Sequence, residues 1–121
     1  MDTVATMGAE GFLAGLRDLG FEPISNGAVV TFEVVPVTGA RAGMPVPTGV
    51  NKEELATWPM TPPHWVHLPA EVVLARMNTN GADTLPGWTR HSRQIANWGD
   101  AADPAQAWVA HSRAVLGEAT A

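Results

Sequence analysis

Three features of the sequence predict an α+β domain with its helices on one face of an antiparallel sheet. Amphipathic helical patterns stand at both ends, a β-branched run follows an Asn-Gly pair, and a proline-dense middle excludes long helices. Residues 9–19, AEGFLAGLRDL, place Phe12, Leu13, Leu16 and Leu19 on one helical face, and Gly20, Phe21 and Pro23 stop the helix. Asn26-Gly27 then signals a turn into the run from Val29 to Val37, where Pro36 suits a strand end. Six prolines from Pro45 to Pro69 leave room for one or two short strands bent around turns. The last element has the clearest start. Asp103 as N-cap, Pro104 at the first helical position and Gln106 at the third open a helix over about residues 104–116. Trp108, Val109, Ser112, Val115 and Leu116 share one face of it, and Gly117 lies just beyond.

Bulk composition narrows the function classes. A chain of 121 residues, 45% hydrophobic and 16% charged, forms one domain over residues 1–121 with a core at about 8–118. A formal charge of -5 with seven basic residues gives no footprint for nucleic acid or for anionic membranes, so a protein or small molecule is the expected partner. There is no apolar run of membrane-spanning length, and MDTVATMGAEGF lacks the basic and apolar regions of a signal peptide, so a cytoplasmic location is expected. The absence of cysteine removes disulfides, thiolate metal sites and any cysteine nucleophile.

The stretch LPGWTRHSRQIANWGDAADP, residues 85–104, has little periodicity yet carries Trp88 and Trp98, which solvated linkers lack, so it is expected to be packed. It also carries His91 beside Arg90 and Arg93, with Ser92 and Gln94 near, which makes His91 the most interesting of the four histidines. His64 and His67 invite a zinc reading, but positions i and i+3 of a strand point to opposite faces, so no metal site is expected, and no cofactor site either. His111 sits between Trp108 and Val115 as a packing or surface residue. A triad of Ser92, His91 and Asp83 or Asp100 lacks the Gly-x-Ser-x-Gly elbow. Glu53 and Glu54 read as a solvated face, and Gly39 to Gly43 as a turn, since no phosphate-loop Lys follows. The five tryptophans are core residues first, although a Trp near proline turns also suits a partner anchor.

The order of these landmarks resembles the ubiquitin-conjugating enzymes and their inactive relatives. WPMTPPHWVHLP (58–69) stands where that superfamily has its proline turn and following strand. NTNGADTLPGW (78–88) resembles the active-site flap, with Asn80-Gly81 ahead of the position of the catalytic cysteine. A divergent prokaryotic branch, encoded beside ubiquitin-like proteins, ThiF-type activating enzymes and JAB-type peptidases, is more similar still. Gly39, Arg41, Ala42, Gly43, Val46 and Gly49, then Pro59, Thr61, Pro62, Pro63 and His67, then Trp88, His91, Ser92, Arg93, Trp98 and Asp103 follow its spacing. The resemblance spans about residues 10–118. It implies an N-terminal helix, a four-stranded antiparallel meander, an irregular flap and a C-terminal helix.

Two departures shape the functional expectation. The thioester cysteine would fall near Ala82 to Thr84, where no thiol stands, and Thr84 offers only a hydroxyl that is seldom ionised at neutral pH. Gln94 replaces a histidine of the branch, while His91 occupies an aromatic position. The resemblance therefore implies a cysteine-less domain that binds a ubiquitin-like protein or its ThiF-type activating enzyme. Trp65, Pro62, Pro63, Trp88, Arg90, Ser92 and Arg93 would supply the contacts, with Arg90 or Arg93 meeting a partner carboxylate. Two alternatives stay open: an enzyme that uses His91 as base on an acyl or isopeptide bond, and a structural subunit whose flap only closes the core.

Overall fold

The computed structural model describes residues 7–75 and 78–121. Helix α1 (Gly8–Asp18) leads into strands β1 (Ile24–Asn26), β2 (Val29–Val34), β3 (Val46–Asn51), β4 (Trp65–Pro69), β5 (Asn78–Asn80) and β6 (Trp88–Ser92), and helix α2 (Pro104–Leu116) follows. The strands form one antiparallel sheet in the order β1-β2-β3-β4-β6-β5, and the α+β class is as expected. Among the described residues, no helix is long and apolar enough to cross a membrane.

Each element follows from its residues. Phe12, Leu13 and Leu16 bury the inner side of α1. The β2 strand ends at Val34, two residues before Pro36, because proline has no amide to give to the ladder. The proline-dense middle yields two strands, β3 and β4, linked by a short 3-10 turn (Lys52–Leu55) that the Asn51 side chain caps by accepting from the Glu53 amide. In α2 the Asp103 carboxylate accepts from the Gln106 amide at 3.2 Å, as the capping pattern predicts.

Two expectations need correction. The sheet has six strands rather than four, and the segment expected to be an irregular flap contains the β5–β6 hairpin. Trp88, Arg90 and Ser92 alternate with Thr89 and His91, a period of two that paired backbones exploit. Only residues 81–87 between the two strands keep a loop conformation.

Cross-strand register sorts side chains onto two faces. Val30, Phe32, Val34, Val46, Val50, Val66 and Leu68 point toward the helices and join Phe12, Leu16, Trp108, Val115 and Leu116 in one core. Edge-to-face rings tighten it, with Phe12 at 4.9 Å from Trp58 and 6.2 Å from Phe32. The stretch 85–104 is packed only in part: His91 is buried and Ile95 and Trp98 pack against the core, while half of its residues stay exposed. Trp98 lies 5.4 Å from Trp58 and donates from Nε1 to the Pro59 carbonyl at 2.7 Å. This ties the segment after β6 to the proline turn at residues 57–63. The other face of the sheet carries Thr31, Gly49, Trp65, His67, Arg90 and Ser92, and the 81–87 loop folds over its centre.

Candidate functional site

On this second face an open pocket of about 710 Å³ lies between the 3-10 turn, β4, β6 and the 81–87 loop. Its walls include Asn51, Glu53, Glu54, His64, Trp65, Asp83, Thr84, Leu85 and Arg90. The sheet register explains why. Trp65, at the start of β4, pairs with Ser92, and His67 pairs with Arg90, so all four side chains share the face. The Arg90 guanidinium sits 4.2 Å over the Trp65 ring, a cation-π contact, and its Nε donates to the Asn80 side chain at 2.8 Å. A looser pair to Asp83 at 3.9 Å completes its partners.

The Glu54 carboxylate fixes the entry to β4 by accepting from the amides of His64 and Trp65. His64 in turn meets the Ser92 hydroxyl through Nε2 at 3.1 Å. Glu54 is thus a structural cap, although the sequence reading placed it on a solvated face. With Glu53, Glu54 and Asp83 against Arg90 alone, the pocket carries a net acidic lining.

Beneath the loop lies His67, which is fully buried. Its Nδ1 is 2.7 Å from the hydroxyl oxygen of Thr84, and its Nε2 has no hydrogen-bond partner among the described residues. Burial, with smaller contributions from the Arg90 charge and from His91, pushes its pKa down to about 4, so the ring is neutral at physiological pH. The Asn51 side chain donates to the Asp83 carbonyl at 3.4 Å and helps hold the loop in place. Asp83 itself has φ 50, a left-handed conformation for a non-glycine residue.

The residues proposed from sequence separate into groups. Trp65, Arg90 and Ser92 come together around the pocket. Pro62 and Pro63 adjoin it through His64, in a smaller hollow shared with Arg93, Gln94 and Ile95. Arg93 is committed to Glu118, and Arg90 to Asn80, Asp83 and Trp65, so both arginines offered to a partner carboxylate already have internal partners. Trp88 pairs with Pro69 at the far end of β6, away from the pocket.

His91 points the other way, to the helix side, and is 1% exposed. Threonine hydroxyls meet both of its ring nitrogens, Thr79 at 2.8 Å from Nδ1 and Thr89 at 3.0 Å from Nε2. Burial lowers its pKa. A ring held at both nitrogens has no lone pair directed at a substrate, and this geometry fits a satisfied core histidine. His111, its pKa pushed down to about 4 by burial and then by Arg93, lies with its ring tilted against Trp108 at 5.2 Å.

Sequence reasoning passed over Asn51, and it weighed His67 only for zinc and Thr84 only as a poor stand-in for a thiol, without joining the two. A signal for His67 was present: Trp65 and His67 stand at i and i+2 of a strand and so share a face, whereas the pair weighed for chemistry was His64 and His67. Among the described residues no group of three or more His, Asp or Glu side chains could hold a metal ion. No protein-family model matches the chain, and no curated protein or solved structure matches it either.

Proposed function

We propose that this chain is a partner-binding domain similar to ubiquitin-conjugating enzymes but without the cysteine that forms their thioester. It engages a ubiquitin-like protein or a ThiF-type activating enzyme through the sheet face that carries Trp65, together with the proline turn. The observation that carries this reading is the pocket beside residues 81–87. It lies where the resemblance puts the active-site flap, it has an indole wall, and it contains no thiol. The succession of β1 to β4 as antiparallel neighbours, with the proline turn leading into β4, supports it further. Because Arg90 is internally paired and the lining is acidic, the partner surface that fits is basic or hydrogen-bond donating, not a carboxylate.

Purification of the full chain with ubiquitin-like proteins and ThiF-type enzymes encoded in the same genome tests the reading. The expected outcome is a complex by size exclusion that Trp65→Ala weakens about tenfold or more, as an aromatic anchor should. Failure to bind any of them, with the chain folded, overturns it.

A further inference from the structure

We infer that Thr84 is an acyl-accepting hydroxyl with His67 as its base, and that the pocket admits uncharged activated acyl groups such as esters or thioesters. This goes beyond partner binding and does not depend on it. Thr84 lines the pocket, and its hydroxyl oxygen lies within hydrogen-bond reach of a base, the arrangement that nucleophilic catalysis requires. The base is shielded. His67 is fully buried, and the Thr84 hydroxyl is the one hydrogen-bond partner of its ring among the described residues.

Two backbone features show that the position is built. Gly49 faces His67 across β3 and β4, and a Cβ there would lie 2.9 Å from Val29 Cγ1 and 3.2 Å from His67 Cβ, so the sheet omits a side chain where the histidine is seated. Asp83, immediately before Thr84, holds a left-handed backbone that a non-glycine residue adopts at a cost, and such strain gathers at sites that present a side chain. Charge then selects the substrate class. Glu53, Glu54 and Asp83 outnumber Arg90 in the lining and repel anionic phosphoryl donors, while the Trp65 ring offers an apolar surface to the leaving group.

In the step, Thr84 Oγ1 attacks the acyl carbonyl carbon as its proton passes to His67 Nδ1. The bond from carbonyl carbon to the leaving oxygen or sulfur breaks, and its electron pair departs with the alkoxide, phenolate or thiolate. The proton on Nδ1 neutralises that anion, and Thr84 is left as an ester.

The test is incubation of the full chain with p-nitrophenyl acetate, read by intact-mass spectrometry and peptide mapping. The expected result is one acetyl group on Thr84, retained in Thr84→Ser, absent in Thr84→Val, and formed roughly a hundredfold more slowly in His67→Gln. No adduct at Thr84, or acetyl confined to Lys52 and the terminal amine, overturns the inference. So does a folded His67→Gln that acetylates at the wild-type rate. Nitrogen NMR of the unmodified protein covers a variant that fails to fold: a proton resident on His67 Nε2 with Nδ1 bare supports the inference, and a proton resident on Nδ1 overturns it. Failure here leaves complex formation by the chain intact, so the two readings fall separately.

Discussion

Acidification should destabilise this protein through His67. In the folded state the ring is buried with one nitrogen unpartnered, and its pKa sits at about 4. In the unfolded chain it returns to 6.5. The folded value is the lower one, so the unfolded state takes up the proton first. The neutral ring's contribution is whole above the unfolded value and is lost as pH falls from 6.5 toward 4. Each pH unit below the unfolded value removes about 1.4 kcal/mol, so the loss from neutral pH down to about pH 5 is about 2 kcal/mol from this residue alone, out of a total of roughly 5–15 for a domain. The assay is urea unfolding followed by tryptophan fluorescence at several pH values, for the wild type and for His67→Gln. The difference between the two isolates His67 from the carboxylates and from His111. The variant is expected to be less stable at neutral pH but flatter in its pH dependence, the two curves drawing together by about 2 kcal/mol on acidification. Parallel curves would refute the reasoning.

Other changes probe separate contacts. Gly49→Ala should cost about 1–3 kcal/mol in thermal or urea unfolding, since its methyl group meets Val29 and His67 at close distance from opposite sides. Asp103→Ala removes the side-chain cap of α2 and should cost about 1 kcal/mol, restored in part by Asp103→Asn. Trp98→Phe keeps the ring against Trp58 but loses the hydrogen bond to the Pro59 carbonyl. A loss of about 1 kcal/mol and faster hydrogen exchange in the proline turn are expected.

The helices were legible because their signals are local. The Asp103-Pro104-Gln106 cap and the spacing of Phe12, Leu13 and Leu16 depend on neighbours within one or two turns. The β2 strand was legible from its β-branched run, and its end from Pro36. The β5–β6 hairpin was not. Its strands are three and five residues long, separated by seven loop residues, and β5 is polar and exposed throughout, so no apolar alternation marks it. The candidate site shows the same division. Trp65, Arg90 and Ser92 were named as partner contacts that the resemblance implies, and they do meet. His91 drew attention through its charged neighbours in sequence, but Arg90 lies on the opposite face of the strand, Arg93 lies beyond its end and pairs with Glu118, and what meets the His91 ring is Thr79 and Thr89. His67 and Thr84 are 17 residues apart. Only the folding of the 81–87 loop across the sheet joins them, a long-range event that spacing does not report.

The sheet's two ends have a consequence for how the molecule behaves in a crowded solution. Both outermost strands, β1 and β5, are three residues long and exposed throughout, while the four strands between them hold nearly all the buried sheet residues. A stranger's strand laid against so short a ladder would find only one or two amides and carbonyls in register, too few to offset the entropy of ordering it. The two outermost strands thus offer little ladder for sideways growth into fibres.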